Sequence, residues 1–198
     1  VGSKRINTAK AVSLVFNAPF LAVCTFLYVY LRAEPTPGYG LMVAAAFFSG
    51  VLPILLILYM KRSGIVSEMM VDSQEDRTRP FLGALASYLL GVAVLRLLGA
   101  PPAMVYLMAC YFVNSLVMML ITFRYKISIH AAGVAGPAVF LVHLYGLAIW
   151  PFLLVAAAVS WARYQLELHT VWQLVLGLLV TGLLTYAQLA FYRVILPL

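Results

Sequence analysis

Three short stretches of this chain hold side chains that could do chemistry. "DSQEDRTRP" (72–80) carries Arg77 and Arg79, "RYKISIH" (124–130) carries Lys126, Ser128 and His130, and "ARYQLELHTVWQ" (162–173) carries Arg163, His169 and Gln173. A guanidinium offers planar, paired donors that match phosphate oxygens, and several are needed to hold a dianion at a low-dielectric boundary. A neutral imidazole can attack phosphorus, and a second, protonated one can give its proton to the leaving oxygen. His169 falls near the expected start of a helix, where free N–H groups favour an anion. Gln173 lies four residues on, hence on the same helix face, and its carbonyl is expected to accept the ring N–H and set the tautomer. The chemistry these types allow is phosphoryl transfer.

The elements that must position these residues are written in apolar runs. The 198-residue chain is 65% hydrophobic and 10% charged, with mean hydropathy +1.02. Soluble domains average about 45–50% apolar and about 25% charged, so water is not the solvent for most of this surface. The fold class expected is an all-α integral membrane protein, a polytopic bundle of six to seven transmembrane helices, in one domain over 1–198. Seven runs can be drawn, about 11–31, 41–60, 81–98, 103–123, 131–147, 148–166 and 170–193. "AEPTPGYG" (33–40), "GAPP" (99–102), Gly146 and Pro151 separate several of them by turn chemistry. Counting crossings, the three clusters follow the second, fourth and sixth runs. They are therefore expected on one membrane face, together with the N-terminus.

In order and spacing the clusters resemble the signatures of the type 2 phosphatidic acid phosphatase superfamily of integral membrane lipid phosphatases. "RTRP" supplies the Arg-Pro of the first signature as Arg79-Pro80, "KISIH" the Ser-x-His of the second, and Arg163, five residues, His169 the third. The resemblance implies that His169 is the nucleophile forming a phosphohistidine and His130 the general acid. It also implies that Arg79 and Arg163 grip the phosphate, with no metal or organic cofactor. The substrate implied is a lipid phosphate or isoprenoid diphosphate. The chain departs from the family pattern at Asp72, Ile129, Ala162 and Gln173, and Lys126 or Arg77 is expected to replace the cation missing at Asp72.

Other readings stay open. A non-catalytic lipid-phosphate binder or transporter would use the same cations. Asp72 and Asp76 resemble one magnesium-binding motif of intramembrane prenyltransferases, although the chain offers no second aspartate pair. Nucleic acid is excluded, because the basic residues behind the net charge of +7 cap the apolar runs instead of lining one soluble face. Membrane lipids are the partner that this charge fits. Cys24, Cys110 and His143 lie inside apolar runs and read as packing residues. Of thirteen Lys and Arg residues, ten (4, 5, 10, 61, 62, 77, 79, 124, 126 and 163) fall on the clusters' face. The positive-inside rule then puts that face in the cytoplasm, and the expected location is a bacterial inner membrane.

Overall fold

The computed structural model describes residues 2–67 and 73–195. Asn17 settles the first departure from a simple row of spans. Its side-chain carbonyl accepts from the Phe20 N–H at 2.9 Å, and its amide donates to the Leu14 carbonyl at 2.8 Å. One side chain thus closes α1 (Gly2–Val15) and caps α2 (Ala18–Leu31). The two helices meet at 51°, so the first apolar run is a bent pair.

The second run is α3 (Tyr39–Ala46) and α4 (Leu52–Arg62), fused through a π turn at Phe47–Val51. Gly50 in that turn lies against α2, and a Cβ there would sit 3.1 Å from the Pro19 carbonyl oxygen. After these come α5 (Thr78–Leu97), α6 (Pro102–Thr122), α7 (Ile129–Tyr145), α8 (Trp150–Gln165) and α9 (Val171–Ile195). Among the described residues the chain is all helical, without strands. Five helical bodies among these residues are long and apolar enough to cross a membrane: Tyr39–Arg62, Thr78–Leu97, Pro102–Thr122, Leu147–Gln165 and Val171–Tyr192. The bent pair makes a sixth if counted as one crossing, and α7 is shorter, at 17 residues. Large apolar side chains such as Leu90, Leu97, Leu179 and Leu183 are more than half exposed, as expected where lipid takes the place of a core.

The short helix is the hub. No residue of α7 is exposed, and it packs on α2, α6, α8 and α9. Its closest neighbour is α9, because Gly177 leaves no side chain between them. A Cβ at Gly177 would meet the Ser128 carbonyl oxygen at 2.7 Å. Below that point Thr181 Oγ1 donates to the Ala132 carbonyl at 3.1 Å. Asn114 of α6 then joins Thr185 at 2.9 Å and Gln188 at 3.0 Å. Such hydrogen bonds between helices hold a bundle where lipid tails give no hydrophobic drive to associate. His143 packs edge-on to Tyr186 with ring centroids 6.1 Å apart, and Cys110 is buried.

Candidate functional site

Hydrogen bonds tie the three polar clusters together at one end of the bundle. Before α5 the chain makes a short helical turn, Glu75–Arg77. From it Gln74 Nε2 donates to the Thr122 carbonyl at 2.6 Å, and Arg77 Nη1 to the Ile127 carbonyl at 2.9 Å. Arg77 is 2% exposed, whereas Arg79 on the next turn is exposed. The buried cation of the first cluster is therefore Arg77, and the exposed Arg79 lies within electrostatic reach of Asp76. Asp76 itself accepts from Ser67 Oγ at 2.6 Å and Ser67 N–H at 3.2 Å, bonds that hold its carboxyl below the usual range. That carboxylate closes the loop. Asp72, its expected partner in a magnesium motif, lies outside the described residues.

In the second cluster Ser128 is fully buried and caps α7, its Oγ accepting from the Ala131 N–H at 3.3 Å. Its own N–H donates to the Gln173 carbonyl at 3.2 Å, which joins the start of α7 to the start of α9. The cap uses the hydroxyl oxygen of Ser128 as an acceptor. His130 follows in the first turn of α7, within electrostatic reach of Arg163, His169 and Arg77.

The third cluster is a turn with unusual chemistry. α8 ends in a Schellman motif: the Leu168 N–H donates to the Arg163 carbonyl at 3.2 Å and the Glu167 N–H to the Tyr164 carbonyl at 2.9 Å. That motif needs a left-handed residue, usually glycine, yet the position holds Glu167 at φ 55°. Arg163, at 1% exposure, turns inward, and its Nη1 donates to Ser13 Oγ at 3.1 Å. Thr170 and Gln173 form a capping box for α9. The Thr170 N–H donates to Gln173 Oε1 at 3.1 Å, and the Gln173 N–H to Thr170 Oγ1 at 3.4 Å. The expected bond from His169 to Gln173 is therefore not made, because the amide oxygen serves the backbone.

His169 stands between these groups, 5% exposed, and both its ring nitrogens are buried with no hydrogen-bond partner among the described residues. Burial first, then the Arg163, Arg77 and Lys126 cations, push the ring down to about 3. The Ile127 carbonyl works weakly the other way. It already accepts from Arg77 and is not aligned for a regular bond to the ring. The imidazole is neutral at pH 7, with its lone pair free.

Two hollows meet this cluster. One, about 310 Å³, runs into the bundle between α2, α4, α5, α6 and α7. Arg77 and His130 stand in its wall, and Phe81, Tyr88, Tyr111, Met118 and Ile54 make much of the rest apolar. The other is an open polar depression lined by Lys126, Glu167, His169 and Gln173. His130 thus borders the apolar chamber and His169 the polar depression. Sequence reasoning missed Ser13, Gln74 and the Ile127 carbonyl, which carry no signal of their own. It missed the cap as well, though Thr-x-x-Gln is legible as a helix start.

No protein-family model, curated protein or solved structure matches this chain.

Proposed function

We propose that the protein is a membrane-embedded phosphatase that hydrolyses a lipid phosphate or isoprenoid diphosphate through a phosphohistidine. One observation carries the reading: a buried, neutral His169 with both ring nitrogens unpartnered lies among Arg77, Arg163 and Lys126, and Arg77 with His130 borders an apolar chamber. The cations suit a phosphate dianion and the chamber suits an acyl or prenyl tail. A ring nitrogen of His169 attacks phosphorus, and the bond from phosphorus to the leaving oxygen breaks. His130, protonated once the dianion is bound, gives its proton to that oxygen. Water then attacks the phosphohistidine, His130 takes up its proton, and inorganic phosphate leaves. In this reading α1–α2 and α7 complete seven crossings, and the site faces the cytoplasm of a bacterial inner membrane, the side with ten of the thirteen cations.

A second reading, a lipid-phosphate binder or transporter without turnover, is favoured by the two histidines bordering separate hollows. Phosphate release from a panel of lipid phosphates by the reconstituted protein, with chelator present, decides between them. The phosphatase reading expects turnover that His169→Ala abolishes together with an acid-labile phosphoenzyme. It also expects Arg77→Gln to lose at least tenfold more activity than Arg79→Gln. Binding of the same lipids with no release would establish the second reading instead.

A further inference from the structure

The cations of α1 take no part in the cluster. Lys4, Arg5 and Lys10 are all exposed, and α1 contains no carboxylate. Charge and apolarity are divided along the helix axis and not between its faces: the cations lie in the first nine positions, while Leu14 and Val15 near the end are more than half exposed. Such a helix suits an oblique entry into lipid. Lys4 and Lys10 are roughly 9 Å apart along the axis. At 51° to α2 that distance projects to about 6 Å, matching the roughly 5–8 Å depth of one headgroup layer. The inner stripe of α1, Ala9 and Ser13, is buried, and the helix packs on α8. Ser13 is the residue whose Oγ accepts from Arg163.

We propose that α1 seats on the anionic headgroups of the leaflet at the cluster's end and that Ser13 transmits this seating to Arg163. Ser13 is then a positioning residue, and the lipid surface is the partner. Each cation near an anionic surface is attracted within about a Debye length, so three on one short helix respond to lipid charge. Where α1 packs on α8, a hydrogen bond between two side chains that are each 1% exposed leads from the seating to the site. The inference does not depend on phosphatase activity.

The full chain, with Cys24 and Cys110 replaced by Ala, takes a nitroxide on a single cysteine at Ile6 or at Glu167. Each labelled protein is reconstituted in phosphatidylcholine vesicles and in vesicles with three-tenths phosphatidylglycerol. Collision with oxygen and with a nickel chelate then reads depth, and the line shape reads mobility. Phosphatidylglycerol is expected to cut nickel accessibility at position 6 at least threefold and to narrow the motion at 167. The combined Lys4→Gln, Arg5→Gln, Lys10→Gln variant should lose both responses. Ser13→Ala should keep the response at 6 and lose that at 167, and Ser13→Thr should restore it. No lipid-charge response at position 6 would overturn the seating. An unchanged response at 167 in Ser13→Ala would overturn the transmission. Phosphate release, measured separately, tests the phosphatase reading alone.

Discussion

At the scale of single residues, His169 costs the fold stability. A buried imidazole held down at about 3 refuses the proton that the unfolded chain accepts near 6.5. Stability should therefore be flat in this group above pH 6.5 and fall as pH drops from about 6.5 toward 3. The carboxyl of Asp76, held below its usual range, adds its own loss only under about pH 4. Thermal unfolding in detergent between pH 7.5 and 4.5 should show the upper limb in the wild type and a shallower one in His169→Leu. That variant should also melt higher at pH 5, since it removes a buried polar ring without partners. An unchanged acid limb in His169→Leu would mean that another group titrates.

At the scale of elements, the turn from α8 to α9 combines strain at one end with a well-made cap at the other. A left-handed glutamate costs on the order of 1 kcal/mol relative to glycine. Glu167→Gly should stabilise the protein by about that amount in denaturant titrations. Gln173→Leu removes the capping box, so a loss of about 1 kcal/mol is expected. Gln173→Glu should retain most of that stability, because a carboxylate serves both the cap and the helix dipole. The ring of His169 needs nothing from Gln173 in this structure, so activity per folded molecule should change little in either variant. How far these elements are legible in sequence differs by case. Six of the seven apolar runs fall on a single helical body and the first is broken at Asn17; turn chemistry and hydropathy act over many residues at once. The choice between Arg77 and Arg79 is not legible: two residues apart, they differ by about 200° around a helix. The Ile127 carbonyl, fifty residues on, accepts from the one that turns inward. The break at Asn17 is another matter of local chemistry, visible as an Asn-Ala-Pro start once the cap is considered.

For the whole molecule, the seam between α7 and α9 holds the histidine-bearing segments in register. At Gly177 a side chain has nowhere to go, since the opposing atom is a backbone oxygen and not a flexible tip. Gly177→Val should push the helices apart and stretch the bond from Ser128 N–H to the Gln173 carbonyl. A destabilisation of about 1–3 kcal/mol is expected, with loss of activity beyond what the unfolded fraction accounts for. Gly182→Ala, which meets only Val139 at 3.6 Å, is the tolerated control on the same helix. Equal melting temperatures for the two variants would show that the seam has slack.

The burial of α7 also bears on the thickness of the bilayer in which the protein works. At about 26 Å, α7 falls short of a hydrocarbon layer near 30 Å. It has no exposed residue through which to feel that mismatch. The outer helices meet the lipid and can tilt to fit a thinner or thicker layer. The start of α7, with His130 and the Ser128 cap, is referenced to α9 and not to the membrane surface. Activity should therefore vary less with the acyl length of the host lipid than hydrophobic matching of the outer helices alone would require.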